Sequence, residues 1–492
     1  MAKKGLFIWV ISFIVLLSTQ SILWGQDVEP VKREYTERRA GYDKTIVLTD
    51  ETIPNSCVMT YFQHGIHYTD IDYLVKIMPS FEIDGRTVMM SQAQDISVND
   101  FPGGVVARFK IKNIQIETKI RSLLIGRETG SWSGAALYEI KTKPNVPVII
   151  HIGSGKVLAI GHPEIREDTV APLYNPVFID KRAIRFKSGE GNIPVLIKSS
   201  DLIKVESTKS SGLNVNIRMK SGSGQVLIVY ANKQSRLLEI GKTDFKTARN
   251  QVDQYYKHLL GSSWIQTPDE NMNNAFRSAI YNLEYTWIKP YGWMECLHHW
   301  YALFQQQVSA GAEWIGQAHR SESCILEQAH HLIDGGNVPQ FMPDGVIKRD
   351  FGGSNQYWVW QVRHYVNFTG DKAFARKIIP YLDTVIAQTI HEHDKDGDLL
   401  FSWGLQIGNQ EDFIGTPGDG TVPSIEMVNM FRTRSELADL IGEKKDAEFY
   451  QEKADQVIQQ LHNKLWLPDL GRFAYFNDLA GNLRLDGQYE TY

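Results

Sequence analysis

Within GNQEDFIGTPGDG, residues 408–420, two adjacent carboxylates, Glu411 and Asp412, stand among four glycines. Trp403, Gln406, Asn409 and Gln410 precede them. A carboxyl that is partly buried beside a second negative charge keeps its proton near neutral pH, as a general acid must. An indole and several amides suit a polyhydroxylated ligand, whose C–H face stacks on an aromatic ring while its hydroxyls bond to amides and carboxylates. Two further groups of this kind lie upstream, Tyr291 with Trp293 and Glu295, and Arg349 with Asp350. Eight of the 12 tryptophans fall between residues 264 and 403, denser than core packing alone requires. Trp287, Trp300 and Trp358 read as core, whereas Trp293 and Trp403, on connections, are open to either role. The plain alternative for Glu411 and Asp412 is a pair of solvated loop carboxylates, one capping a nearby amide.

Other clusters point away from metals and cofactors. Asp394, Asp396 and Asp398 alternate and offer oxygen ligands to calcium, but the EF-hand pattern fails, with Leu405 where its last glutamate belongs. A helix-terminating turn is the better reading. Neither His298–His299 nor His330–His331 has the spacing that puts two ligands on one helix face. No serine elbow, phosphate loop or dinucleotide glycine pattern occurs, so no cofactor is implied. The three cysteines, Cys57, Cys296 and Cys324, allow a Cys296–Cys324 disulfide or buried thiols. Net charge is −5 with no long basic run, which argues against nucleic acid as a partner.

The elements that must position these groups change character near residue 264. Upstream, VVARFKIKNIQIETKI (105–120), VPVIIHI (146–152), LNVNIRM (213–219) and QVLIVYA (225–231) alternate or are rich in Val and Ile. Turn residues separate them, as in antiparallel sheet forming either two packed layers or a barrel. At Thr267-Pro268-Asp269-Glu270 a capping box opens a helix. A second helix carries Leu297, Tyr301, Phe304 and Val308 and ends at Gly311. Further helical patterns span 314–334, 354–369, 371–394, 422–441 and 444–466. FTGDKAFARK (368–377) and LIGEKKDAEFYQEK (440–453) echo one another, each closing one helix with glycine and opening the next. If consecutive helices are antiparallel, the long connections 290–295, 335–352 and 395–420 share one mouth.

Length and 42% hydrophobic content allow two domains. Met1 to Gly25 has Lys3 and Lys4, an apolar run too short to span a bilayer, and a small polar end. We read it as a secretory signal, whose removal shifts the charge from −5 to −7 and leaves no stable membrane span. The expected organisation is a signal peptide at 1–25, a β-sandwich at 26–250, a linker at 251–266 and helical hairpins at 267–492, with export to the periplasm or exterior.

A strand-rich front half, then helical hairpins, with DKDGDLLFSW (394–403) followed by QED (410–412), resembles the six-hairpin glycosidases. This superfamily includes glucoamylase, trehalase, glucosidase and α-L-rhamnosidase types. The resemblance implies a β-sandwich ahead of an (α/α)6 barrel, a carbohydrate substrate and an acid-bearing loop. Glu411 would be the general acid, with Asp412 the other candidate because Gln410 replaces the family's tryptophan before the acid. Exo-acting hydrolysis with inversion is implied. Only seven helices are countable after residue 264, so the barrel is expected to be incomplete and its catalytic base missing. A carbohydrate-binding remnant without activity, or a glycoside phosphorylase, are the alternatives.

Overall fold

The computed structural model describes residues 37–42, 45–50, 53–60, 71–124, 133–157, 174–188, 193–208, 212–293, 305–341, 347–348, 353–402 and 418–485. From Glu37 to Ala231 the described chain forms strands. In chain order the first are β1 (Glu37–Tyr42), β2 (Thr45–Asp50), β3 (Ser56–Thr60), β4 (Ile71–Ile83), β5 (Arg86–Met89), β6 (Gln94–Phe101), β7 (Gly104–Ile111) and β8 (Ile114–Ser122). They continue as β9 (Ser133–Lys143), β10 (Val148–Val157), β11 (Tyr174–Asp180), β12 (Ala183–Ser188), β13 (Ile193–Ser199), β14 (Ile203–Thr208), β15 (Gly212–Met219) and β16 (Ser223–Ala231). One eight-stranded sheet runs β1-β2-β3-β4-β10-β15-β14, with β5 beside β4. The other runs β11-β12-β13-β16-β9-β8-β7-β6.

These are two packed layers and not a closed barrel. Period-two alternation turns Ile114, Ile116 and Ile120 of β8 and Ala136, Tyr138 and Ile140 of β9 towards Val75, Ile77 and Phe81 of β4 and Ile150 of β10. Each large apolar side chain buried there contributes about 1.5–3 kcal/mol relative to exposure. The run 105–120, read as continuous, is a hairpin: Lys112 turns at φ 54, and Ile111 pairs with Ile114.

The opposite face of the second sheet is divided along its strands. Ala135 and Leu137 of β9 and Leu227, Val229 and Ala231 of β16 lie under α1 (Gln234–Ile240), α2 (Phe245–Ser262) and α3 (Glu270–Tyr285). Farther along the same face the strands carry Glu139, Lys141, Ser223 and Gln225. The expected linker 251–266 is therefore helical as far as Ser262, and Val252, Tyr256 and Leu259 bury it against the sandwich. Nor does a helix open at Thr267. Asp269 caps α3 by accepting from Asn271 N at 2.8 Å, while Thr267 bonds to Asn273.

Six more helices follow: α4 (Gln305–Trp314), α5 (Ala318–His330), α6 (Ser354–Thr369), α7 (Lys372–His393), α8 (Thr421–Ile441) and α9 (Lys444–Lys464). With α3 they make seven after residue 264 among the described residues, the number that the periodicity predicts. α4 runs through Gly311, its expected end, because a glycine without a left-handed backbone does not stop a helix. Gly370 and Gly442 do adopt that conformation, at φ 65 and φ 91, and end α6 and α8. Asp371 then caps α7 by accepting from Ala373 N and Phe374 N, both at 2.9 Å, which explains the FTGDK motif. α4 packs on α6 and α6 on α8, while α5, α7 and α9 pair with the helices before them. Ile325, Val362, Ile378, Leu382, Met427 and Val457 join these layers in one core. Cys57 and Cys324 are buried thiols, and burial pushes Cys324 up to about 12. Cys296 lies outside the described residues. Among the described residues no helix is long and apolar enough to cross a membrane.

Candidate active site

Short turns close the hairpins α4–α5, α6–α7 and α8–α9, so the long connections into α6 and α8 emerge at the opposite end. Hydrogen bonds tie those two connections to the same stretch of α7. Asn337 Nδ2 donates to Glu392 Oε1 at 2.8 Å, and Asn355 Nδ2 to Asn337 Oδ1 at 3.1 Å and to Thr389 Oγ1 at 2.9 Å. Gly336, at φ 151, runs so close that a Cβ would meet Thr384 O at 2.8 Å. From the other connection, the Ser402 carbonyl lies 2.6 Å from His393 Nδ1 at the end of the same helix.

The acid-bearing segment leaves and rejoins this end at a single base. Gly420 N donates to Phe401 O at 2.8 Å, and Phe401 N to Ser424 Oγ at 2.9 Å. Thr421 N donates to Tyr475 O at 3.0 Å, and Gly418 lies against the Asn477 backbone, where a Cβ would stand 1.8 Å from Asn477 O. Trp403, Gln406, Asn409, Gln410, Glu411 and Asp412 all fall between these anchors in sequence and lie outside the described residues; Glu295, Arg349 and Asp350, in earlier connections, lie outside them too.

Of the other expected ligand contacts, Tyr291 is half-buried and its ring lies 5.2 Å from that of Phe341. Burial, reinforced by Glu327, raises its phenol. Trp293 is a correction. It is 1% exposed, donates from Nε1 to Leu283 O at 2.9 Å and packs 4.7 Å from Trp287. An indole with both faces covered cannot stack on a sugar. Trp287 and Trp358 are core, as read, and Trp300 lies outside the described residues.

Asp394, Asp396 and Asp398 form the turn that ends α7, with their carboxylate oxygens within 4.8 Å of one another. Asp394 N donates to Ile390 O at 2.9 Å, Asp398 Oδ1 accepts from Leu400 N at 2.8 Å, and Lys464 Nζ pairs with Asp398. Leu399 takes a positive φ of 67 in this turn.

Two carboxyls that the sequence did not single out sit at the same end. Asp419, at the base of the acid-bearing segment, has its proton affinity raised by burial and then by Asp398. Glu426, in the second turn of α8, is pushed up to about 7 by burial, against a stabilising hydrogen bond from Asn429. Its sequence signal is slight, a lone carboxylate within SIEMVNM.

No family model matches the chain, and no curated protein matches it. The structure is similar to that of a bacterial glucoamylase complexed with acarbose, with TM-score 0.57 and 12% identity over 92% of this chain and 71% of that one. The chain has a glucoamylase-type fold. A GH78 family rhamnosidase of Bacillus sp. GL1 matches with TM-score 0.42 and 13% identity over 77% of this chain and 35% of its own, too distant to argue from.

Proposed function

We propose that this protein is an exported glycoside hydrolase that releases sugars from the end of an oligo- or polysaccharide with inversion. One observation supports the reading above the others. In a glucoamylase-type fold, the connections into α6 and α8 are bound to one end of α7, and the segment carrying Glu411 and Asp412 starts and ends there. Inverting hydrolysis needs a protonated carboxyl beside the leaving oxygen and a carboxylate about 6.5–9.5 Å away to activate water. Glu411 is the first candidate for the acid and Asp412 the second. Glu426 joins them because a carboxyl with proton affinity near neutrality is poised to hold and release a proton at working pH.

The test is hydrolysis of malto-oligosaccharides and a panel of aryl glycosides by the wild type and by Glu411→Gln, Asp412→Asn and Glu426→Gln. Loss of the acid lowers kcat by about 10²–10⁴, with a smaller change for a leaving group that needs no proton. Normal hydrolysis of every active substrate by both Glu411→Gln and Asp412→Asn overturns their assignment. N-terminal sequencing of protein recovered outside the inner membrane tests export, which predicts a new terminus near Gly25 or Gln26.

A further inference from the structure

A second built site lies on the sandwich, formed by β8, β9 and β16 with α2, elements that take no part in the helical mouth. It is a cleft of about 660 Å³. Its floor is Arg121, only 5% exposed, whose Nη1 donates to Asp253 Oδ1 at 2.7 Å and whose Nη2 reaches Glu139 Oε2 at 3.5 Å. Its Nε, also buried, meets no acceptor among the described residues. That atom has no accessible surface, so its cost falls on the fold, and the parts of Arg121 turned to the cleft are its Nη groups, already shared with Asp253 and Glu139.

The lining decides what could enter. Lys119, Arg121, Lys141 and Arg249 are its cations. Glu117, Glu139, Asp201 and Asp253 balance them one for one among the described residues, which offer no net attraction to an anion or a cation. Among the described residues no aromatic ring lines it, and Ile140, the one large apolar residue there, turns its side chain into the sandwich core, so nothing described favours an apolar or a stacked ligand. What remains is a neutral molecule with many hydroxyls, each able to donate to a carboxylate while accepting from a guanidinium or ammonium group. The fixed parts suit this. Glu139 Oε1 is held by Gln225 Nε2 at 2.8 Å and Arg249 Nη1 at 3.2 Å, and Ser200 Oγ donates to Asp201 at 2.9 Å.

The plain alternative is that the ion pairs only fasten α2 to the sheet. That role accounts for Arg121–Asp253 and Arg249–Glu139, but not for polar strand faces kept open beside a face whose other half is covered by helices.

We propose that this cleft binds a neutral saccharide edge-on through its hydroxyls, at a place separate from the mouth and independent of whether the mouth is catalytic. Full-length protein is titrated calorimetrically with maltoheptaose, cellohexaose, xylohexaose and laminarihexaose, and hydrogen exchange is compared with and without each. The expected result is slowed exchange in 117–121, 137–141 and 221–225 with at least one of them, read separately from the mouth segments 394–402 and 418–426. Ser221→Trp, which fills the cleft from an exposed rim position outside the ion pairs, should abolish that protection, weaken affinity about tenfold or more and leave Tm unchanged. Arg121→Met should also abolish the protection and weaken affinity, but with a lowered Tm, because Asp253 and Glu139 lose their partner. If it fails to fold, Ser221→Trp alone decides. No slowing there with any of the four sugars, or protection that survives Ser221→Trp, overturns the proposal.

Discussion

Glu426→Gln separates a carboxyl that the fold holds protonated from an ordinary surface acid. Burial moves Glu426 from 4.5 to about 7. At about 1.4 kcal/mol per pH unit this corresponds to about 3 kcal/mol, and solvent at its partly exposed side reduces the effect to about 1–3 kcal/mol. The sign comes from linkage. Below pH 4.5 the group is protonated folded and unfolded, so it costs the fold nothing. Between 4.5 and about 7 the unfolded chain ionises first, and the fold loses stability as pH rises. Above about 7 the loss is complete. Glutamine keeps the shape and abolishes the titration, so the variant should match the wild type at pH 4.5 and be the more stable at pH 8. Urea midpoints followed by far-UV circular dichroism across that range measure the difference. Curves that stay parallel from pH 4.5 to 8, or a variant less stable at pH 8, would refute the burial on which Glu426's candidacy rests.

Trp293→Phe should lower stability by about 1–2 kcal/mol through the lost bond to Leu283 O and leave KM unchanged, because the ring touches only protein. A raised KM with unchanged Tm would return it to the ligand site. Arg434 is 3% exposed and joins Asp383 at 2.6 Å to Asp446 at 3.2 Å. Arg434→Met should therefore cost about 2 kcal/mol in thermal unfolding, less than a fully buried pair because both acids are partly exposed. Glu284 lies in the interior with Arg320 at 2.8 Å, so Glu284→Gln should cost about 3 kcal/mol, and Glu284→Gln with Arg320→Met less than either change alone. Double-mutant unfolding measures that coupling. Gly418→Ala forces a Cβ into Asn477 O, so the base of the acid-bearing segment must shift. Activity should fall while Tm drops by only a few degrees, because Phe401, Ser424 and Thr421 still hold α8 in place.

Much of the scaffold was written locally. QVLIVYA is β16 to within two residues at its start, and FTGDK is a left-handed glycine followed by an aspartate cap, because alternation and capping involve only near neighbours. α2 had a readable stripe, Ala248, Val252, Tyr256 and Leu259, but it lay in a polar stretch between sheet and helical patterns and was merged with the linker. The site was less legible because burial there is set at a distance. Trp293 is covered by Trp287 and by a carbonyl ten residues back, and Arg121 is held by Asp253, which is 132 residues away. Glu426 gains its proton affinity from packing that no local spacing encodes. Asp394, Asp396 and Asp398 lie in the turn that ends α7, and their alternation brings the three carboxylates within 4.8 Å of one another.

The apolar half of the second sheet is finished by helices from the downstream part of the chain. Ile280 and Ile315 share a core with Leu137 and Val229, Tyr285 Oη accepts from Gly103 N at 3.3 Å, and Ser262 Oγ donates to Ile315 O at 3.2 Å. The strand-rich half is thus no detachable cassette. Cutting the gene near residue 264 would strip both products of a common wall, and each should precipitate when expressed alone yet regain solubility when the two are co-expressed.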